Sequence, residues 1–178
     1  MRAFEDGLWG ASLSVGGRDK KVPAMAIRVS DALAVGGVMV RPKWESFEAT
    51  VSGLVDRLVS AGQLPKGLAA EAVRRIHERE AVASTAMVDI GVSIPHARLD
   101  GINGIVAAMA VAPQAVYQVG DGLPISIVVL VLSSPTLVGE HLNFLANLSM
   151  LLQSARFRQR VRNAATAEEV QRLVRTSE

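Results

Sequence analysis

The sequence places a histidine directly after a proline at the end of a short apolar stretch, and this His96 is the main candidate for chemistry. Ile94 precedes the proline and is biased toward extended geometry, whereas Pro95 has a fixed φ and no N–H group for a β-ladder. We therefore expect strand pairing to stop here and to present His96 at a strand end. A neutral imidazole can attack a phosphoryl group when a backbone carbonyl holds one ring nitrogen as donor and the other nitrogen is free. The alternative is a histidine that merely closes a strand.

Two further side chains have the chemistry to support such a nucleophile. Arg79 is expected at or just beyond the end of a helix, and its planar guanidinium can bind two phosphate oxygens at once. His141 lies on the stripe of Leu145 in a later helix, so we expect it to point inward from the first turn, where the helix dipole favours anions. The alternatives are an arginine that caps helix carbonyls and a histidine that is hydrogen-bonded inside the core.

A pair of hydroxyls follows Arg79 in the chain. Ser84 and Thr85, together with N–H groups of the loop after them, would complete a cradle around a phosphoryl group. Phosphoryl transfer requires mainly positioning and compensation of charge on the equatorial oxygens, which such a cradle supplies. Hydroxyl pairs near the boundary of an element more often serve in turns and caps, and this alternative stays open.

Hydrophobic periodicity indicates the elements that must position these residues. Helical spacing from Phe47 to Val59 predicts an amphipathic helix that ends at Gly62, and a second helix is expected to begin near Pro65 and to carry Arg79. Three apolar stretches separated by glycine-containing turns are predicted as strands of the central sheet: residues 92–95, 105–112 and 125–132. The pattern favours an α/β fold in a single domain.

Two helices are predicted in the last third of the chain. One runs from Gly139 to about Gln153 and carries His141 in its first turn. Thr166 and Glu169 have the spacing of a capping box, which opens a last helix. At the other end, residues 1–27 are rich in glycine and polar residues and have no sustained period, so we expect a flexible extension before a domain at residues 28–178.

Composition excludes several classes of function. The chain has 178 residues and no cysteine, so disulfides and thiolate metal sites are impossible, and the three histidines have no zinc-binding spacing. A net charge of +2 is too small to indicate nucleic-acid or membrane-surface binding. The longest apolar runs are shorter than the roughly 20 residues that span a bilayer. Glu5 and Asp6 stand where a signal peptide would be apolar, so a cytoplasmic protein is expected.

The order of these motifs resembles one family, the fructose/mannitol-type enzyme IIA domains of the bacterial phosphoenolpyruvate-dependent sugar phosphotransferase system, with their nitrogen-regulatory branch. The resemblance runs from about Arg28 to the C-terminus. It depends on an Arg-Glu pair, a Ser-Thr pair, a Gly-x-x-x-Pro-His segment and a later His-Leu pair. In this chain these are Arg79, Glu80, Ser84, Thr85, Gly91, Pro95, His96, His141 and Leu142. The resemblance implies a mixed central β-sheet flanked by helices.

The resemblance also implies a function. His96 would accept phosphate from the histidine-containing phosphocarrier protein and pass it to a IIB partner in sugar uptake, with His141 and Arg79 in support. No metal or other cofactor is required by this interpretation. The alternative within the family is a stand-alone nitrogen-branch regulator, whose phosphorylation state selects its partner proteins.

The sequence departs from the family pattern just before the candidate nucleophile. Asp89 stands where many members have glycine, and Ser93 stands where alanine is usual. If the backbone at position 89 requires a positive φ, aspartate tolerates it less well than glycine. The loop before His96 is therefore where the geometry of the family is least certain to carry over.

Overall fold

A computed structural model describes residues 27–178, which form six α-helices and eight strands. The helices are α1 (Val29–Ala32), α2 (Phe47–Ser60), α3 (Ala69–Val82), α4 (Val138–Gln153), α5 (Ala155–Asn163) and α6 (Ala167–Ser177). The strands are β1 (Leu33–Val40), β2 (Ala86–Met87), β3 (Val92–Ser93), β4 (His96–Arg98), β5 (Ile105–Val111), β6 (Tyr117–Val119), β7 (Leu123–Ile125) and β8 (Ile127–Ser133). The expected single-domain α/β fold is confirmed. The predicted extension at residues 1–27 lies, except for Ile27, outside the described residues.

The central sheet is mixed, as the family resemblance implied. Among the described residues its strand order is β1-β5-β8-β3-β2, and β4 also pairs with β8. The long strands β5 and β8 are antiparallel, whereas β3 and β4 both run parallel to β8. β6 and β7 form a separate antiparallel pair. β8 is thus the strand against which the segment that carries His96 is aligned.

Helices cover both faces of the sheet. Alternate residues of β5 and β8 point to opposite faces and pack in two separate core clusters. On one face Met109, Val129 and Val131 pack in the same cluster as side chains of α4, α5 and α6. On the other face Leu130 and Leu132 pack with side chains of α2 and α3. Every residue of β8 is buried, which explains why its sequence is continuously apolar up to the terminal serine. No helix in this part of the chain is both long and apolar enough to cross a membrane.

The predicted helices are present with small shifts at their ends. α2 begins at Phe47 after Ser46, whose hydroxyl accepts a hydrogen bond from the N–H of Ala49. A short 3₁₀ turn at Lys66–Leu68 precedes α3, so the α-helix itself begins later than Pro65. Arg79 lies inside the last turn of α3. The position of the arginine is therefore fixed by a helix, as predicted.

The predicted capping box of the last helix is confirmed. The Thr166 hydroxyl accepts from the N–H of Glu169, and the Glu169 carboxylate accepts in return from the N–H of Ala165. This second contact lies one residue before the N-cap, which is a small difference from the standard arrangement. The apolar residues expected on the inner face are buried: Val170, Leu173 and Val174.

The expectation that strand pairing stops at Pro95 is wrong. β3 does end at Ser93, but the chain continues alongside β8, and the carbonyl of Pro95 accepts a hydrogen bond of 2.9 Å from the N–H of Val131. Proline lacks the N–H donor of a ladder but keeps its carbonyl acceptor, so one side of the pairing survives. β4 then begins at His96. The histidine therefore opens a strand instead of closing one.

Other strands differ in length from the prediction, and five short or irregular ones are not evident in the sequence: β1, β2, β4, β6 and β7. The strand predicted at residues 125–132 is divided, because Ile125 belongs to β7 and the N–H of Ser126 bonds instead to the carbonyl of Gly91. β1 has a shift in register against β5 between Leu33 and Val38. Strands of two or three residues, or with paired glycines inside, carry too little periodicity to be recognised.

Gly91 is the position in the loop before His96 that requires a positive φ, at 67°. Asp89 is not among the positive-φ residues of the described chain, so the departure from the family pattern at this position introduces no backbone strain. A Cβ atom on Gly91 would lie 3.2 Å from the carbonyl oxygen of Pro124 and from Oγ of Ser126. Both the backbone conformation and the close approach of the next strand therefore demand glycine here.

We predict that Gly91→Ala lowers the free energy of unfolding by about 1–2 kcal/mol, because a Cβ atom disfavours the left-handed region. Urea denaturation measures this. Gly67→Ala is the matched control, since Gly67 has no positive φ and a Cβ atom added to it would meet no heavy atom within 4 Å. Equal stability of the two variants would contradict the prediction.

Candidate functional site

A cavity of about 520 Å³ lies where α3, β4 and α4 meet. It contains the three residues predicted as the chemical centre, His96, His141 and Arg79. The remaining lining residues are Arg75, Glu78, Ala97, Arg98, Leu142 and Leu145. A larger cavity of about 1010 Å³ lies between the start of the described chain, α4, α5 and the C-terminus, and none of the predicted site residues lines it. The chemistry of the side chains, rather than cavity size, therefore identifies the smaller cavity as the candidate site.

The register of β4 decides which side chains share the site. His96 is paired with Val131, and Arg98 is paired with Ser133. Side chains of directly paired residues lie on the same face of a sheet, and Val131 packs in the cluster of α4. His96 and Arg98 therefore lie on the α4 face, whereas Ala97 packs with the α2 and α3 layer.

His96 has a defined tautomer when it is neutral. Its Nδ1 lies 2.8 Å from the backbone carbonyl oxygen of Ile94. A carbonyl can only accept, so Nδ1 must carry the hydrogen, and Nε2 keeps its lone pair. The ring is half-buried and lines the cavity. This is the arrangement that a nucleophilic imidazole needs.

His141 is the second imidazole of the site and is only 5% exposed, which confirms that it points inward from α4. Its ring centroid lies 5.7 Å from that of His96, with an angle of 51° between the planes. Nδ1 of His141 lies 2.8 Å from the hydroxyl of Ser133, at the end of β8. Burial lowers the pKa of His141, and the neighbouring His96 and Arg98 lower this pKa further. The environment therefore favours a neutral His141.

Arg79 reaches the cavity from α3, on the opposite side of the sheet from α4. Its Nη1 donates a hydrogen bond of 3.0 Å to the carbonyl of Ala83, beyond the end of the helix. The capping contact considered for this residue therefore exists, and the same side chain also lines the cavity. Both interpretations of Arg79 are compatible with its position.

Ser84 and Thr85 do not line the cavity. Both hydroxyls donate to the carboxylate of Glu80, at 2.9 and 2.7 Å, and the N–H of Thr85 donates to it as well. The Thr85 hydroxyl also lies 3.2 Å from the hydroxyl of Ser93 in β3. These contacts fasten the end of α3 to the sheet beside Arg79. The geometry favours the turn interpretation, and a direct phosphate role for the pair stays a prediction.

Sequence reasoning missed Arg98, Arg75 and Ser133. Arg98 stands two residues after His96, and the period of two in a strand could have placed both on one face. Arg75 stands four residues before Arg79, on the same side of α3. Ser133 ends an apolar run without any distinctive signal.

The cavity is lined by three arginines and one glutamate, which give it a net charge of +2 before the histidines are counted.

Residues 27–178 hold no group of three or more His, Asp or Glu side chains arranged to bind a metal ion. The candidate site is instead built from two imidazoles and several guanidiniums, which are groups that bind and transfer anions.

The lowered pKa of His141 makes stability depend on pH. In the folded protein His141 binds its proton less readily than in the unfolded chain, where the ordinary value is 6.5. Its contribution to stability is therefore complete above pH 6.5 and is lost as the pH falls toward the lowered pKa. We predict that the free energy of unfolding decreases between pH 7.5 and pH 5.5, and that His141→Gln shows a smaller decrease.

Urea denaturation at both pH values measures the effect. His77→Gln is the matched control on α3, where the half-buried His77 packs edge-on against Phe47. The control should keep the full decrease. An equal decrease in the wild type and in His141→Gln would show that His141 is not responsible.

Comparison with known proteins finds similar chains that align with this one over most of their length. The chain is 28% identical over 149 residues to a nitrogen regulatory protein from Pseudomonas aeruginosa, which covers 83% of this chain and 95% of the relative. The structure of nitrogen regulatory protein IIA-Ntr from Neisseria meningitidis superimposes with a TM-score of 0.71 at 22% identity, over 82% of this chain and 98% of that one.

A second similar structure is a chain of the complex of enzyme IIA-mannitol with phosphorylated enzyme IIB-mannitol from Escherichia coli. It superimposes with a TM-score of 0.65 at 15% identity, over 80% of this chain and 96% of that chain. Residues 34–177 match the profile of the family described as "Phosphoenolpyruvate-dependent sugar phosphotransferase system, EIIA 2". This match includes every residue of the cavity between α3, β4 and α4, and the chain therefore belongs to the type 2 EIIA family of the phosphoenolpyruvate-dependent sugar phosphotransferase system.

Proposed function

We propose that this protein is a phosphoryl carrier that accepts a phosphoryl group on Nε2 of His96 and passes it to a partner protein. The observation that carries the proposal is the contact between Nδ1 of His96 and the carbonyl of Ile94, which leaves Nε2 as the free nucleophilic nitrogen. The half-buried ring lies beside a second histidine and in a cavity of net positive charge. The activity is that of a phosphohistidine phosphotransferase.

The transfer step exchanges one N–P bond for another. The lone pair on Nε2 of His96 forms a bond to phosphorus, while the bond between phosphorus and the donor's imidazole nitrogen breaks and its electron pair returns to that nitrogen. Each ring keeps the proton on its other nitrogen, which for His96 is the Nδ1 proton held by Ile94. The transition state of such a transfer is loose, so the protein contributes mainly alignment and positive charge.

Arg79 and His141 supply this support in different ways. The N–H groups of Arg79 that are not engaged with Ala83 bind phosphoryl oxygens and compensate for their charge. In this mechanism the Ser133 hydroxyl, which lies 2.8 Å from Nδ1 of His141, is the donor of that contact. The neutral ring then carries its hydrogen on Nε2 and donates it toward the phosphoryl group. Ser84 and Thr85 support the phosphate site through Glu80, which anchors the segment after α3.

The partners follow from the family and from its relatives. The donor is the histidine-containing phosphocarrier protein and the acceptor is a IIB component, by analogy with the Escherichia coli complex of IIA-mannitol and phosphorylated IIB-mannitol. Leu142 lines the cavity and is 59% exposed, and Val82, three residues after Arg79 at the end of α3, is 82% exposed. These side chains provide a surface on which a partner can exclude water from the labile phosphoryl group.

The second candidate function is that of a stand-alone regulator of the nitrogen branch. The similarity to a nitrogen regulatory protein over most of both chains supports it. Phosphorylation adds roughly 1.5 to 2 negative charges to a docking surface, which is enough to change partner preference. The net charge of +2 in the cavity would then be largely neutralised in the phosphorylated form.

We predict that incubation with the phosphoenolpyruvate-driven phosphocarrier relay adds one acid-labile phosphoryl group to the wild type and none to His96→Gln. The amide of glutamine keeps a polar side chain of similar reach but has no nucleophilic nitrogen. Intact-mass spectrometry under neutral conditions measures the added phosphoryl group. His77→Gln is the control and should be labelled like the wild type, whereas full labelling of His96→Gln would refute the assignment of the nucleophile.

A second experiment separates transport from regulation. Phosphorylated protein is mixed with candidate IIB proteins, and loss of the label from His96 with gain on the IIB protein is followed over time. We expect transfer if the protein acts in sugar uptake. Retention of the label, together with different partners captured by the phosphorylated and unphosphorylated forms, would instead support the regulator. Identical partners in both states would contradict regulation by phosphorylation.

A further inference from the structure

Arg98 differs from the other arginines of the cavity in its contacts. Arg75 is held by Glu71, with 2.8 Å between Nε and the carboxylate, and Arg79 donates to the carbonyl of Ala83. The guanidinium of Arg98 makes no hydrogen bond or ion pair with any of the described residues. It is exposed and lines the same cavity as His96. All of its donors are therefore available to a ligand.

The strand places Arg98 close to the candidate nucleophile. Two residues of a strand span roughly 7 Å, and residues at this spacing project from the same face. His96 and Arg98 pair with Val131 and Ser133 in β8, so both lie on the α4 face. An arginine side chain is long enough to bridge this spacing and to reach a group bonded to the imidazole beside it.

Arg98 and Arg79 approach the cavity from different sides. Arg79 belongs to α3, which packs in the core layer on one face of the sheet, whereas Arg98 lies on the other face with His141. Arg98 lines the cavity together with His96 and His141, and its charge adds to burial and to His96 in lowering the pKa of His141. A phosphoryl group on His96 would enter this cavity and meet a cation that makes no other contact there.

We propose that Arg98 is a second phosphate-binding residue, which binds the phosphoryl group on His96 from the α4 face while Arg79 binds it from the α3 side. This inference rests on the proposed phosphoryl-carrier function and adds a residue to it. In the resting protein burial and His96 lower the pKa of His141, and the charge of Arg98 adds to this effect. After phosphorylation the guanidinium pairs with phosphoryl oxygens, as its planar fork allows.

The test compares Arg98→Gln and Arg98→Lys with the wild type. The rate of phosphoryl transfer from the phosphocarrier is measured at increasing carrier concentration, so that the maximal rate is separated from the half-saturating concentration. We expect Arg98→Gln to lower the maximal rate at least about tenfold, because a charge-assisted hydrogen bond to the transferred group is lost. Arg98→Lys should recover part of the loss, since it restores the charge but not the two-pronged contact.

Two further measurements exclude simpler explanations. The pKa of His141, followed by NMR in the unphosphorylated protein, should rise in Arg98→Gln, because a positive charge has been removed from its surroundings. The thermal unfolding midpoint should stay unchanged, since the side chain is exposed and unpaired. Arg172→Gln, on the exposed side of α6, is the matched control and should behave like the wild type in every assay.

The possible outcomes distinguish a failure of the Arg98 inference from a failure of the proposed phosphoryl-carrier function. If the wild type takes up phosphate and Arg98→Gln reaches the same maximal rate, with the same pKa of His141, the inference is overturned and the carrier function stands. A change confined to the half-saturating concentration also overturns it, because Arg98 would then serve only in docking of the carrier. If the wild type takes up no phosphoryl group, both the carrier function and the inference are wrong.

Discussion

The site depends on the parallel pairing of β4 with the buried strand β8. The ladder begins at the carbonyl of Pro95 and continues through His96–Arg98, so three consecutive side chains take fixed directions from a strand that is itself immobilised in the core. If this register shifted by one residue, His96 would face the layer of α2 and α3 and would be separated from His141. The relative position of the two imidazoles is therefore set by the sheet more than by the loop that precedes β4.

Pro95 changes the backbone hydrogen bonding of the segment just before His96. It interrupts the donor side of the ladder but leaves its carbonyl bonded to Val131, and the carbonyl of the preceding Ile94 is free to accept from the imidazole of His96. A regular strand would be expected to use that carbonyl in backbone pairing. The break between β3 and β4 thus provides the acceptor that fixes the tautomer of the candidate nucleophile, while the strand direction is preserved.

The helices on the two faces of the sheet contribute two different kinds of side chain to the cavity. α4 brings a buried imidazole whose pKa is lowered by its surroundings, burial above all, and α3 brings an arginine close to the end of the helix. Glu80 connects this helix end with Thr85, whose hydroxyl lies beside Ser93 in β3. The charged helix terminus is therefore tied to the same sheet that orients His96, which limits relative movement of the groups that would surround a phosphoryl oxygen.

The sequence by itself determined the helices α2, α3, α4 and α6, the three main apolar stretches of the sheet, and His96, Arg79 and His141 as candidates, because periodicity, caps and side-chain chemistry are local properties. Tertiary structure alone decided the rest. Pairing with β8 turned the expected strand end at His96 into a strand start, aligned Arg98 with the histidine, and supplied Ser133 to His141. The arrangement of the chain at the end of α3 also directed Ser84 and Thr85 to Glu80 instead of into the cavity. These outcomes depend on partners between 4 and 35 residues away, and such partners leave no periodic signal in the chain.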